Sequence, residues 1–189
     1  LGMAFAPVLI DLIAPGFEGA VRQLTIELVE IMFPGMGLLV LSAWCLGVLN
    51  SHRRFLLSYA APVLWNAAQI AALVGVALRL LGGEPSAVRL SHAVAWGTVA
   101  GAALQFLVQL GPTLRLLERW APSFELSAPV RRTLASFAPV VTTRGVIQLS
   151  AYVDQMLASL IGPSAVAAIA YAQQLYLLPV SLFGMAVSA

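Results

Sequence analysis

Long apolar runs separated by short polar segments dominate this sequence. Two clear examples are residues 31–49 and 88–110, which contain no Asp, Glu or Lys and, in the second run, only Arg89. Each run is about twenty residues long, the length that an α-helix needs to cross the hydrocarbon core of a bilayer. The pattern predicts an all-α, polytopic transmembrane helix bundle rather than a soluble domain.

Breaker residues and polar segments predict six helices in a single transmembrane domain over 1–189. The helices cover roughly residues 1–14, 25–49, 55–81, 88–110, 129–161 and 164–189. Pro15-Gly16 ends the first helix, and residues 17–24 are expected to form a short polar connection. Glu27 and Glu30 then fall in the first turns of the second helix, where the helix dipole favours acidic side chains.

Small residues predict where helices approach each other closely. Gly97 and Gly101 form a Gly-x-x-x-Gly spacing in the fourth helix, a pattern typical of close helix contacts in membranes. Pro34, Gly35 and Gly37 in the second helix allow either a kink or close packing.

The composition strengthens the membrane prediction and excludes other classes. The chain is 60% hydrophobic and 10% charged, whereas about a quarter of the residues in soluble domains are charged. All basic residues are arginines and the net charge is only +2, so no nucleic-acid partner is expected. Cys45 is the single cysteine and lies in an apolar run, so we interpret it as a packing residue facing lipid or another helix.

The arginines predict the orientation in the membrane. The segments 50–54 and 111–133 carry six arginines, and the other side carries Arg22, Arg79 and Arg89. The positive-inside rule places the first set in the cytoplasm and the turn at 161–164 outside. Both ends of the chain fall within apolar runs, so we expect a fragment of a larger multi-spanning protein.

Charged residues inside the fifth predicted helix are the main candidates for function. Arg144 and Asp154 are ten positions apart, which on a helix separates them by about 15 Å along the axis and about 80° around it. They are therefore too far apart to pair with each other. Either partner helices neutralise each charge and fix the packing, or the two line a polar cavity or ion site.

Polar residues extend this candidate cavity. Gln148 lies on the same helical stripe as Arg144. Gln173 and Gln174 lie within the last apolar segment, and Pro179 follows five residues after Gln174. A proline there permits a hinge beside a cavity, although prolines are also common in spanning helices. His52 and His92 have no Cys or acidic partners at ligand spacing, so neither a catalytic site nor an enzyme is expected.

Several short motifs together resemble the MurJ (MviN) family, the lipid II flippases of the multidrug/oligosaccharidyl-lipid/polysaccharide exporter superfamily. The matching segments are Ala14-Pro15-Gly16-Phe17, Ile31-Met32-Phe33-Pro34, Leu49-Asn50-Ser51 with Arg54-Phe55, Ala61-Pro62-Val63-Leu64 with Asn66, Val153-Asp154 with Ala158-Ser159, and the series Tyr171-Ala172, Leu175-Tyr176, Leu178-Pro179 and Phe183-Gly184. They cover nearly the whole chain, in the order and spacing of the family.

The resemblance implies a flippase of about fourteen helices in two lobes, of which this chain would form most of the N-terminal lobe. Such a protein moves lipid II across the bacterial inner membrane by alternating access. The partners implied are lipid II, the bilayer and proteins of cell-wall synthesis. The alternative is a related exporter of another lipid-linked oligosaccharide, or of small drugs coupled to sodium or protons.

The resemblance also implies roles for single residues. The eighth helix of the family commonly reads Ala-Asp-Arg, with the arginine facing the pyrophosphate, whereas this chain has Ala172-Gln173-Gln174. Arg144 is a candidate for the missing positive charge. Asp154 falls on the seventh-helix aspartate that binds sodium in the family, and the other sodium ligands are expected from C-terminal helices. No other cofactor is expected.

Overall fold

A computed structural model describes residues 5–78, 86–117 and 128–188, and all regular structure in these ranges is helical. The helices are α1 (Ala6–Ile13), α2 (Gly19–Ser51), α3 (Phe55–Ala77), α4 (Ala87–Leu116), α5 (Ala128–Ile161) and α6 (Pro163–Ser188). The all-α prediction is therefore confirmed.

Helix α2 starts earlier than the sequence predicted, at Gly19 rather than near Thr25. The segment Gly19–Leu24 contains Ala, Arg, Gln and Leu, which are compatible with a helix when no breaker follows them. Glu27 and Glu30 consequently lie well inside the helix, and the prediction that they occupy its first turns was wrong. At 33 residues α2 is about 50 Å long, so it extends beyond a hydrocarbon core of about 30 Å.

The arginine-rich segment 111–133 is shorter as a connection than predicted. Helix α4 continues past its predicted end at 110, through Pro112 to Leu116, while α5 begins at Ala128, within one residue of its predicted start at 129. The N-terminus of α4 is capped by Ser86, whose hydroxyl accepts a hydrogen bond from the Arg89 amide at 3.2 Å. The predicted end of the third helix at 79–81, the turn at 82–85 and the middle of the arginine-rich segment at 118–127 lie outside the described residues.

A single glycine joins α5 to α6. Gly162 has φ +141°, a conformation that residues with a side chain rarely adopt. Its amide donates to the Ala158 carbonyl at 3.1 Å, which closes the last turn of α5. Pro163 then starts α6, a position that suits proline because the first helical amide has no partner within the helix.

The chain divides into two compact units, each with its own packing. Among the described residues, the first unit contains 5–6, 24–78 and 86–117, and the second contains 7–23 and 128–188. The first unit thus holds most of α2 with α3 and α4, and the second holds most of α1, the start of α2, α5 and α6.

The Gly-x-x-x-Gly pattern of α4 lies directly against α3 in the first unit. A Cβ atom on Gly97 would lie 2.9 Å from the Ala72 Cβ, and one on Gly101 would lie 2.8 Å from the Trp65 carbonyl oxygen. Only glycine permits this approach, so the predicted close contact is confirmed. Gly35 of α2 similarly approaches the Val99 Cα of α4, where a Cβ would be at 3.3 Å.

Most buried positions of α4 carry small or polar side chains, whereas many large apolar side chains of the described helices are exposed. The buried residues of α4 are Ala95, Gly97, Thr98, Gly101, Ala102, Gln105, Gln109 and Thr113. In contrast, Leu56 is 86% exposed and Tyr59 is 72% exposed. Small buried residues and large outward-facing hydrophobic residues are the arrangement expected of helices that pack within lipid.

Three described helices are long and apolar enough to cross a membrane. They are Gly19–Ser51, Phe55–Ala77 and Ala87–Leu116. The proposed crossing of α5 and α6 stays a prediction from the sequence.

Candidate functional site

Two of the predicted site residues share a groove between α5 and α6 in the second unit. This α5–α6 groove has a volume of about 630 Å³. It is lined by Asp154, Leu157, Ala158, Ile161, Ala165, Ala168, Ile169, Ala172 and Gln173. The helix turn at Gly162 brings the two polar residues to one groove although nineteen positions separate them in the sequence.

The α5–α6 groove is apolar except for Asp154 and Gln173. The walls consist of alanine, leucine and isoleucine, and the repeated alanines of α6 leave the space between the helices open. Within the described side chains the Asp154 carboxylate makes no salt bridge. A carboxylate and an amide oxygen on an apolar wall are two hard oxygen donors, which suit a hard cation.

The other predicted site residues lie elsewhere. Gln148 lines a separate groove on α5 together with Val141, Gly145 and Ile147. Gln174 is exposed and is not among the residues that line the α5–α6 groove. Arg144 lies on α5, but its side chain is outside the described part of the structure. The structure therefore joins Asp154 with Gln173 and places Gln148 apart from them.

The polar stripe of α5 that includes Gln148 ends at a contact with the α1–α2 turn. The Ser159 hydroxyl accepts a hydrogen bond from the Gly16 amide at 3.3 Å and donates one to the Met156 carbonyl at 2.7 Å. Ser159 is fully buried. This serine therefore positions α5 against the turn and is not available to a ligand.

A second polar feature, which the sequence analysis missed, lies between α2 and α4 in the first unit. The Ser42 hydroxyl donates to Gln109 Oε1, and Gln105 Nε2 donates to the Ser42 hydroxyl at 2.8 Å. All three side chains are buried, as is Thr113 one turn further along α4. We call these four residues the α2–α4 polar cluster. Hydrogen bonds of this kind hold helices together in lipid.

A signal for the α2–α4 polar cluster was present in the sequence. Thr98, Gln105, Gln109 and Thr113 follow one another at spacings of seven, four and four residues, which places them on one helix face. These side chains are neutral, unlike Arg144 and Asp154, so a search for charged residues inside apolar runs does not find them. Gln69 of α3 also bonds to this face, through the Thr98 hydroxyl at 2.9 Å.

Arg22 and His92 each lie beside a carboxylate within their own unit. Arg22 contacts the Asp11 carboxylate at 2.7 and 2.9 Å, in a bidentate pair. His92 Nε2 lies 3.6 Å from a Glu27 carboxylate oxygen. Both pairs are partly exposed, so they fix side-chain positions and contribute little to stability. In the described residues no group of three or more His, Cys, Asp or Glu side chains is placed to hold a metal ion.

These features define a membrane protein: helices long and apolar enough to span a bilayer, small glycine contacts between them and polar residues placed inside the helix packing. The family model described as "Lipid II flippase MurJ" matches residues 1–189. The chain belongs to this family, which confirms the resemblance seen in its motifs.

Curated relatives agree with this assignment. The chain is 36% identical to the lipid II flippase MurJ of Burkholderia cenocepacia over 98% of its own length and 36% of that protein. It is 32% identical to a probable lipid II flippase MurJ of Synechocystis, covering 94% of this chain and 34% of that one. A probable lipid II flippase MurJ of Rhizobium meliloti is 30% identical over 94% of this chain and 33% of the relative. No solved structure matches the chain significantly.

The chain thus spans about a third of the length of the curated relatives it matches.

Proposed function

We propose that the protein containing this chain transports lipid II across the bacterial inner membrane by alternating access. The match of the lipid II flippase family model over residues 1–189 carries this proposal. The role is transport rather than catalysis, and the protein would be a multi-pass protein of the inner membrane. The chain would supply most of the N-terminal lobe of a fourteen-helix flippase.

The helix arrangement supports a transport role. In the first unit, glycines on α4 bring α3 and α4 into close contact, a packing typical of transmembrane helices. In the second unit, polar residues occupy a groove between α5 and α6 that is otherwise apolar. Ionisable residues inside a membrane bundle generally mark a substrate or ion pathway.

Asp154 is our candidate for the coupling-ion site. Asp154 and Gln173 line one groove. A carboxylate and an amide oxygen suit a sodium ion chemically, although two donors supply only part of its coordination. A bound sodium ion would balance the charge of Asp154 within the membrane. Further oxygen ligands would come from helices outside this chain.

Arg144 is our candidate for contact with the pyrophosphate of lipid II. The position where the family commonly has an arginine on its eighth helix holds Gln174 here, which donates hydrogen bonds but carries no charge. A guanidinium group on the neighbouring helix α5 would restore the positive charge that two phosphate groups require. Gln148, one turn from Arg144 on the same stripe, would add a hydrogen-bonding group to this cavity.

Depletion of the full-length protein in the source bacterium tests the proposed function. Loss of a lipid II flippase should lead to accumulation of lipid II and to cell lysis, and re-expression of the protein should reverse both. Lipid II levels are measured by extraction and mass spectrometry. Normal cell-wall synthesis after depletion would contradict the proposal, and accumulation of a different lipid-linked oligosaccharide would assign the protein another cargo.

A further inference from the structure

The first unit contains a cleft that combines apolar walls with three arginines. It lies where the chain passes from α2 to α3, beside the C-terminal end of α4. It has a volume of about 690 Å³. We call it the arginine cleft; its lining residues are Leu49, Arg53, Arg54, Phe55, Leu56, Leu57, Ala60, Pro112, Arg115 and Leu116. The proposed lipid II pathway uses none of these residues.

The backbone at the end of α2 brings two of the arginines to the cleft. The Arg54 amide donates to the Leu49 carbonyl at 2.9 Å and the Arg53 amide donates to the Asn50 carbonyl at 3.0 Å. This is the hydrogen-bond pattern of a Schellman motif, in which glycine usually occupies the left-handed position. Here Arg53 occupies it, with φ +58°. The chain thus turns sharply and holds adjacent arginines at the mouth of the cleft.

The positive charge of the cleft is not neutralised by the described residues. Arg53, Arg54 and Arg115 are exposed. No salt bridge joins them to a carboxylate in the described part of the chain. Helix α3 also begins here at Phe55 without a side-chain cap, so the positive end of its dipole adds to the same field.

The remaining walls are apolar and continue along the helices. Of the apolar residues that line the cleft, Leu49 is fully buried, while Leu56 is 86% exposed and Phe55 is 50% exposed. The cleft therefore has a cationic end and an apolar length. A free phosphate ion would contact only the cationic end, whereas a phospholipid would contact the cationic end with its headgroup and the apolar walls with its acyl chain.

We propose that the arginine cleft binds a membrane phospholipid with an anionic headgroup. Its phosphate would contact Arg53, Arg54 and Arg115, and the upper part of one acyl chain would lie along Leu56, Leu57 and Leu116. The positive-inside rule places this end of the helices at the cytoplasmic leaflet, where anionic lipids are a natural source of the headgroup. Guanidinium groups favour phosphate because their planar donors match two phosphate oxygens.

The test measures retention of added phosphatidylglycerol by the purified full-length protein, using native mass spectrometry, with phosphatidylcholine as the neutral lipid. Each arginine near an anionic headgroup contributes about fivefold to binding, so R53Q/R54Q, which removes two, should reduce phosphatidylglycerol retention by about 25-fold. The matched control R131Q/R132Q removes an adjacent exposed arginine pair from α5 and should leave retention unchanged. Equal losses in both variants would show general surface attraction and would overturn the proposal.

Two further variants separate a built site from misfolding or from simple anion binding. R115Q changes one residue inside helix α4 and should weaken retention about fivefold, whereas R131Q should not. A60W fills the apolar part of the arginine cleft without changing its charge. It should weaken lipid retention about fourfold, the effect of removing one acyl methylene group from its buried position. Thermal unfolding verifies that each variant is folded. An unchanged result for both R115Q and A60W, or full competition by millimolar glycerol 3-phosphate, would overturn the proposal.

Discussion

At the scale of single residues, two glycines illustrate how contacts rather than local conformation decide which side chain is tolerated. Gly16 lies so close to α5 that a Cβ would overlap the Ser159 carbonyl group. Gly37 in α2 has no atom within 4 Å of the equivalent position among the described residues. The sequence marks Gly16 only as a helix breaker, while the structure shows that it is also a packing residue.

Gly16→Ala should therefore destabilise the protein by about 1–3 kcal/mol, since the α1–α2 turn must move away from the backbone of α5. Thermal unfolding of the detergent-solubilised full-length protein measures the change. Gly37→Ala is the matched control and should be neutral or slightly stabilising, because alanine favours the helix. Equal stability of the two variants would contradict the Gly16–Ser159 contact.

The α2–α4 polar cluster gives a second prediction at the residue scale. The hydrogen bond between Ser42 and Gln109 is buried, and such bonds contribute on average about 0.6 kcal/mol and at most about 1.7 kcal/mol within a membrane. A double-mutant cycle of Ser42→Ala and Gln109→Ala should give a coupling energy in this range. The pair Ser42→Ala and Gln69→Ala serves as control, because Gln69 bonds to Thr98 instead. Additive effects of Ser42 and Gln109 would refute their direct bond.

At the scale of the helices, the spacing of glycines along α4 explains which face meets α3. Gly97 and Gly101 contact α3, whereas Gly111 on the same helix has nothing within 4 Å among the described residues. Glycine is therefore required for helix packing at Gly97 and Gly101, whereas at Gly111 an added Cβ would meet no described atom. The Gly-x-x-x-Gly spacing identified the contact face, because positions four apart lie on one side of a helix.

Gly101→Ile should push α3 and α4 apart and lower the unfolding temperature, because its side chain would meet the Trp65 backbone. Gly111→Ile introduces the same side chain into the same helix without this clash. Circular dichroism followed during heating compares the two variants. The packing described for α3 and α4 would be wrong if Gly111→Ile were the more damaging substitution.

At the scale of the whole molecule, the α5–α6 groove links helix packing to the proposed transport. Asp154→Asn keeps the size of the side chain but removes its charge, so sodium should no longer stabilise the full-length protein. With wild type, sodium at about a hundred times its Kd should add about 2.7 kcal/mol of stability relative to choline. Asp154→Glu should retain part of this effect, since it keeps the carboxylate. Undiminished stabilisation of Asp154→Asn by sodium would remove Asp154 from the ion site.

The departure at Gln174 provides a test of charge compensation. Arg144→Ala in the full-length protein should fail to complement a depleted strain, because the phosphate-side charge is lost. Gln174→Arg places an arginine where the family commonly has one, so the double variant should restore growth. Western blots verify equal expression. Normal complementation by Arg144→Ala alone would show that Arg144 does not carry this role.

Much of the fold follows from local sequence features, but the contacts of the site do not. The hydrophobic runs predicted the helices. Two helix boundaries were predicted as well, by Pro15-Gly16 after α1 and by the Ile161–Ser164 segment between α5 and α6. The start of α2 was placed too late because residues 17–24 are polar, although their helix propensity is adequate. The α2–α4 polar cluster was missed because hydrogen bonds between helices depend on which faces meet.

The sequence by itself determined that this is a helical membrane protein of the lipid II flippase family. Long apolar runs and short ordered motifs are local properties, so they can be read without knowing how the helices pack. Only the tertiary structure decided that Asp154 shares a groove with Gln173 while Gln148 lies in another, and that three arginines surround one apolar cleft. These groupings depend on the turns and helix contacts that bring distant positions together, and helical periodicity within one segment does not specify them.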